Sequence, residues 1–458
     1  MTNLIVELSK YAFIILIALY TYLCFSVLKK KQEGEIRYGF GVQTFLMFLI
    51  HLLAYVVIYL QTEQVKVLVF YLLQVFALQT VRVVCQVIYP KINRLVLNNM
   101  CLMLSLGFII LTRLSYDRAV RQFQMVAVSL VIFLVIPVLI RKCGFLQKLP
   151  WVYGGIGLLL LVMVAFFGDT SNGAKLSIEI AGFGLQPSEF VKISFVFFTA
   201  ARLSESVKFR DLVLTTAMAA LHVLILVYSR DLGGALLFFI TYLVMLYAAS
   251  KKPFYLLSGL GAGCAAAFAG YRLFAHVRVR VLAWSDPFRV IDNEGYQITQ
   301  SLFAIGTGGW FGMGLCRGTP GKIPIVDRDF IFSALAEEFG GIFALCLILI
   351  CMSCFVMFVN IAMQIKNNFY KYTALGLGTF YGFQVFLTIG GAIKFIPSTG
   401  VTLPLISYGG SSVVSTIAVF AIIQGMYLLK EDEDSKIGKK RKQTAKAKTK
   451  PQKTEEKP

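Results

Sequence analysis

The chain has 458 residues, 57% of them hydrophobic and only 15% charged, with a formal net charge of +20. An ordinary soluble domain cannot hide so much apolar surface, and apolar runs of roughly 20 residues, enough to cross ~30 Å of hydrocarbon, recur from end to end, which also excludes a single signal anchor. Lys and Arg lie in short loops between those runs and in the tail, so the charge speaks for orientation on a membrane and against nucleic acid.

Bounded by charges and Gly/Pro breaks, candidate helices fall near residues 3–28, 40–61, 66–89, 97–113, 121–140 and 151–168. Seven more fall near 187–204, 211–228, 231–250, 253–271, 330–359, 371–393 and 404–429, with those at 187 and 231 expected to be short or broken. The fold class is all-α and polytopic. Thirteen crossings put the termini on opposite sides. With the C-terminus cytoplasmic, the inner loops carry Lys29, Lys30, Lys31 and Arg37, then Lys91 and Arg94, then Arg141, Lys142 and Lys148, with further basic residues at Arg202, Lys208, Arg210, Lys251, Lys252, Lys366 and Lys371. Opposite loops hold only Lys66, Arg230 and Lys394, apart from an exceptional turn with Arg113, Arg118 and Arg121. This orientation makes the N-terminus extracytoplasmic and turns the long connection 272–329 outward. Such a length is uncommon without a function. The tail 431–458, acidic at Glu431–Asp434 and then strongly basic, has no apolar periodicity and is expected to be disordered, attracting anionic membrane lipid at about 1 kcal/mol per basic residue.

The nine Cys show no paired framework, since most, Cys351 and Cys354 included, sit in apolar stretches; the three His are scattered. No disulfide, His-based zinc site or Ser-His triad is expected. Charged and polar residues at membrane depth are functional candidates by default. The first group is Asn172 and Gly173 with Gln186, Pro187, Ser188, Glu189 and Lys192. Glu189 and Lys192, three apart, share one face of a helix that Pro187 can open, and either neutralise one another or face a substrate. Arg230 and Asp231 stand at the outer mouth between two spans, as a local ion pair or as a holder of an anionic headgroup. In the long loop, Arg278 and Arg280 add charge, Gln297, Gln300 and Ser301 add hydrogen-bonding groups, and Gly306, Gly308, Gly309, Gly312 and Gly314 permit close backbone approach, for instance to phosphate. The glycine string matches neither a P-loop nor a dinucleotide fingerprint.

Asp329, preceded by Asp327 and Arg328, stands where the loop enters an apolar helix. There it either caps the helix or presents a general base to a sugar hydroxyl at the membrane surface. Glu337 and Glu338, two turns deeper, are expected to pair with buried Arg or Lys. Beyond Lys394, Pro397, Gly400, Pro404, Gly409 and Gly410 break the chain at membrane depth, so that Ser407, Tyr408, Ser411 and Ser412 line a wet cavity or a helix-packing face.

The strings NGA, QPSEFVK, DLGGA, EGYQITQSL, GTGGWFGMG, DFIFSALAEEFG and TGVTLPLISYGGSS, in that order over about residues 97–430, resemble the SEDS family of bacterial shape, elongation, division and sporulation proteins (FtsW, RodA and SpoVE). The resemblance implies a ten-helix core with cytoplasmic ends and a large outer loop between its seventh and eighth helices, in the bacterial cytoplasmic membrane. It implies polymerisation of lipid II, with Asp329 deprotonating the acceptor 4-hydroxyl and undecaprenyl diphosphate leaving. It also implies a class B penicillin-binding protein as partner transpeptidase. A divalent cation, Mg²⁺ or Mn²⁺, is carried as a candidate cofactor without a ligand set. The chain departs from the family pattern at Asp327 and Arg328, where Thr commonly precedes the Asp, at Leu176-Ser177 after NGA, and at Arg230, where Pro is usual. Residues 1–96 lie outside the shared core and add about three helices. Because polar groups and broken helices at membrane depth also suit a lipid-precursor flippase, that reading and a non-enzymatic scaffold remain as alternatives.

Overall fold

Sixteen α-helices form among the described residues, which in this computed structural model are 2–30, 32–171, 174–180 and 183–448. The first six are α1 (Thr2–Ser26), α2 (Glu33–Thr62), α3 (Val65–Ile88), α4 (Arg94–Leu114), α5 (Tyr116–Lys142) and α6 (Pro150–Phe167). They are followed by α7 (Pro187–Glu205), α8 (Phe209–Tyr228), α9 (Leu232–Ser250), α10 (Pro253–Leu273), α11 (Ala275–Ser285) and α12 (Tyr296–Gly308). The last four are α13 (Ile331–Phe339), α14 (Gly341–Gln364), α15 (Asn368–Ala392) and α16 (Gly410–Lys448). Twelve of these are long and apolar enough to cross a bilayer. The thirteenth expected crossing, α7, is too charged to qualify by composition, yet its Glu189, Lys192 and Arg202 are all buried and it packs against α6, α9 and α15.

Three expectations need correction. The span expected at 330–359 is two helices, broken at Gly340. The reason is the glycine-rich run that precedes it: Met313 N–H donates to Glu337 O and Gly314 N–H to Glu338 O, each at 2.9 Å, while Gly341 N–H donates to Gly309 O at 2.8 Å. Those glycines therefore approach the ends of α13 and α14, satisfying carbonyls that a helix C-terminus leaves open, and do not form a phosphate cradle. Gly340 itself has φ +91°, and a Cβ there would stand 2.4 Å from Gly312 N. Gly340→Ala is expected to destabilise the protein by roughly 2 kcal/mol or more through backbone strain and collision, read as a lowered thermal midpoint in detergent, whereas Gly321→Ala, with nothing within 4 Å, leaves it unchanged.

The span expected at 404–429 starts only at Gly410, because residues 394–409 run as irregular backbone held by side chains. Residues 431–448 of the tail are helical where disorder was expected, the first turns anchored by Lys91 to Ser435 and by Arg141 to Asp432, and 449–458 lie outside the described residues. Residues 169–185, between the spans expected at 151–168 and 187–204, include β1 (Asp169–Ser171), β2 (Ala174–Ile180) and β3 (Phe183–Leu185), an antiparallel meander with Ile178 opposite Leu185. Asn172 and Gly173 lie outside the described residues.

Ion pairs between distant parts of the chain mark two faces. Lys91, Arg141 and Asp432 share one, the tail face; Glu7 and Arg317, paired at 2.5 Å, share the other, the loop face. The exceptional basic turn belongs to the loop face. There Arg113 pairs with Glu338 at 3.0 Å and Arg118 with Asp327 at 2.8 Å, so two of its three charges serve internal carboxylates and carry no orientation signal. The first three helices are joined to the rest by buried polar bonds, Tyr20 to Asn99 at 3.0 Å and Tyr55 to Thr112 at 2.9 Å, and by the edge-on ring pair Phe13–Phe339.

Candidate active site on the loop face

The irregular segment 394–409 determines the geometry of the site. Thr388 Oγ1 donates to Val401 O and Gln384 Nε2 to Thr402 O, pinning the segment to α15. Ser407 Oγ, buried, accepts from Leu403 N–H and donates to Arg328 O, and Tyr408 N–H donates to Asp327 O at 2.7 Å. Gln122 of α5 bonds Ser407 O and Gly409 N–H from behind. These bonds fix residues 327–328 against the segment and leave Asp329 beside Gly400. A Cβ at Gly400, whose φ is +75°, would lie 3.8 Å from both Asp329 Oδ2 and Arg280 Nη2, so carboxylate and guanidinium both border the same bare backbone without forming an ion pair. Arg280 reaches there from α11, with its Nη1 donating to Ser398 O at 3.3 Å.

Asp329 does not cap α13; Phe330 occupies that position and contributes no side-chain bond. Burial pushes the Asp329 carboxyl up to about 6; the positive charges of Arg280 and then Arg328 pull against this, and Asp327 adds to it. An acid near 6 is ionised at neutral pH yet basic enough to accept a proton. Arg280→Gln removes the larger opposing charge, so the Asp329 pKa rises and the acidic limb of the rate profile moves to higher pH. Measurement of product formation across pH 5 to 8 checks this; an unmoved limb would show that Arg280 does not act on the carboxyl.

Next to this pair, Asp231 caps α9, accepting from Gly234 N–H at 2.8 Å. Burial raises its pKa, against the bond from Gly234 and the charge of Lys192. Beneath it runs a buried chain: Lys192 Nζ contacts Glu189 Oε2 at 2.8 Å and Gln384 Oε1 at 3.0 Å, and Ser415 Oγ donates to Glu189. Glu189 and Lys192 thus neutralise each other, as one of the two sequence readings has it, while extending polar character down from the site. Arg230, exposed and in left-handed backbone, and Arg280 both lower the pKa of His276 after the burial effect. His276 escaped the sequence reading, although it alone of the three His lies outside the long spans.

Several candidates serve other purposes. Ser301, fully buried, bonds Ser333 Oγ and Ala392 O, and with Ser407 it is a packing residue and not a substrate group. Ser411 accepts from Gln186 N–H, joining α16 to the start of α7. Arg278 is exposed and donates to Arg272 O, away from Asp329. Lys394 is half-buried, and its carbonyl accepts from the Trp284 indole at 3.2 Å. Gln297 and Gln300 are half-buried on α12, with no described contact to Asp329. Tyr408 takes part through its backbone and stands half-buried beside the segment. Glu338 pairs with Arg113, as anticipated for a carboxylate deeper in the helix.

A basic, half-buried carboxyl beside guanidinium groups on one face of a membrane bundle suits proton removal from a hydroxyl while an anionic group departs. Among the described residues no three His, Cys, Asp or Glu side chains converge. The described side chains therefore form no three-ligand cage for the candidate divalent cation, and no step is routed through one.

The chain resembles known proteins over most of its length. The family model described as cell cycle protein (FtsW, RodA, SpoVE) matches residues 93–430. The peptidoglycan glycosyltransferase RodA of Mycobacterium tuberculosis is 31% identical over 363 residues, covering 73% of this chain and 77% of that protein. A probable peptidoglycan glycosyltransferase FtsW of Geobacter metallireducens is 34% identical over 281 residues, covering 60% and 75% respectively. Among solved structures, a chain of a peptidoglycan synthase complex that coordinates polymerization and crosslinking superposes with a TM-score of 0.63 at 26% identity, over 75% of this chain and 98% of that one. Thermus thermophilus RodA shares the fold, with a TM-score of 0.55 at 24% identity over 74% and 97%.

Proposed function

The chain belongs to the FtsW/RodA/SpoVE family and is a multi-pass membrane peptidoglycan glycosyltransferase of cell-wall synthesis, and we propose that Asp329 is its general base, acting on lipid II at the outer face of the bacterial cytoplasmic membrane. The observation that carries this is the placement of Asp329 and Arg280 beside the same bare backbone at Gly400 on the loop face. In the reaction, the acceptor 4-hydroxyl gives its proton to the Asp329 carboxylate. The oxygen attacks the anomeric carbon of the donor chain, a glycosidic bond forms, and the bond to diphosphate breaks. Undecaprenyl diphosphate leaves with the electron pair. Arg280, Arg328 and Arg230 face the negative charge that gathers on it, which is where fixed cations lower a barrier most. Asp231, tied to its own helix, positions the mouth and is not the base.

The loop face is outward in this reading, as the basic loops of the tail face require, with the N-terminus outside and the C-terminus in the cytoplasm. A class B penicillin-binding protein that crosslinks the strands is the partner; the likeness to a synthase complex chain supports this. Purified protein given labelled lipid II should yield glycan ladders. A flippase or a scaffold would give none. Independently, a membrane-impermeant maleimide should label a cysteine placed at Lys322 in intact cells and leave one placed at Lys436 unlabelled; the reverse pattern would put the carboxylate on the wrong side for this chemistry.

A further inference from the structure

The third helix presents an anomaly unrelated to the reaction. Over its 24 residues α3 is roughly 36 Å long, and most of its outward face is apolar, with Leu72, Val75, Phe76 and Val83 lining an open groove of about 660 Å³. Gln79 and Thr80 interrupt that face, and both are exposed. They lie about three residues past the helix midpoint, hence ~4–5 Å from the bilayer centre if the helix spans it. Behind Gln79 stands Arg82, buried in the bundle. Its Nη1 donates to Gln79 Oε1 at 2.9 Å, its Nε to Asn98 Oδ1 at 3.3 Å and its Nη2 to Thr44 Oγ1, and it faces the Phe48 ring at 5.8 Å. Every one of these partners is neutral, and no carboxylate lies within ion-pair distance of Arg82 among the described residues.

Two costs follow. A guanidinium charge at membrane depth lacks a counter-charge, and the Gln79 amide, polarised through its oxygen by Arg82, turns its N–H donors toward hydrocarbon. A phospholipid cannot relieve this. Its ester and phosphate groups lie near ~15 Å from the centre, half the ~30 Å core, and so stand about 10 Å from Gln79 along the membrane normal. An acceptor at this depth has to come from a protein helix. We propose that the α3 groove docks a transmembrane helix of a partner protein, which presents a carboxylate or carboxamide near the middle of the membrane to Gln79 and Thr80. The groove lies in the part of the chain before residue 93, outside the family match.

The test uses the full chain in phosphatidylethanolamine/phosphatidylglycerol vesicles with two fluorescent probes, a leucine-alanine transmembrane peptide carrying a central Asn and its all-apolar twin. Energy transfer should show the Asn peptide binding five- to thirtyfold tighter than the twin, the range that interhelical hydrogen bonds provide. Gln79→Leu should erase the difference. Since that change also takes a ligand from Arg82, Val83→Trp serves as a second variant that fills the groove without touching the polar contacts; it should abolish binding of both probes while glycan ladders persist. Equal binding of the two peptides to the native chain overturns the proposal. So does discrimination that survives Val83→Trp, or transfer only between two labelled copies of this protein, or only from a labelled anionic lipid.

Discussion

Replacing Asp329 by Asn is expected to lower lipid II polymerisation by a factor of about 10² to 10⁴, the range a positioned general base contributes. The change keeps the side chain's shape, and since Asp329 does not cap α13 the fold and the thermal midpoint should be retained. Residual activity in the variant should lose its acidic limb. In the native protein the rate rises as the carboxyl ionises around pH 6 and then levels off, because the base works only in its charged form. Asp329→Glu should fall between the two, its carboxylate being basic but displaced by one methylene. Glycan ladders from the Asn variant at the native rate would remove Asp329 from the mechanism and return the flippase and scaffold readings to consideration.

The largest stability effect is expected at Lys192. Lys192→Met leaves Glu189 buried with Ser415 and no cation, and breaking such a pair by removing one partner costs about 3–5 kcal/mol. Fluorescence-detected denaturation in detergent should show a clear fall in midpoint. The double variant Glu189→Gln/Lys192→Met should recover most of the loss, because it buries no unpaired charge. If the single variant were as stable as the native chain, Glu189 would have to take up a proton or another partner, and its place in the polar chain below Asp231 would need revision.

Some parts of this protein were legible in the residues and some were not. Glu338 was readable as a carboxylate that needs a buried cation, but its partner, Arg113, is 225 positions away, and nothing in the sequence couples the two. Of the glycines between Gly306 and Gly314, Gly308 and Gly312 are places of close backbone approach, and what approaches them is the end of α13, which only the packing reveals; a Cβ at Gly306 or Gly309 would meet nothing within 4 Å. Ser301 and Ser407 looked like substrate groups because exposed and buried hydroxyls share one letter in a sequence. His276 and Gln122 carried no pattern at all, since each works as a single residue brought in from another helix.

Hydropathy alone determined that the chain lives in a bilayer and where twelve of its long apolar helices fall, because transfer into hydrocarbon is a sum over neighbouring residues and needs no knowledge of the fold. Tertiary structure decided which carboxylates are spent. Arg118 takes Asp327, Arg113 takes Glu338 and Lys192 takes Glu189, while Asp329 is left without an ion pair, next to Gly400 with Arg280 nearby. Charge interactions fall with distance in space and not along the chain, so the division between structural and chemical acids emerged only when the helices were packed.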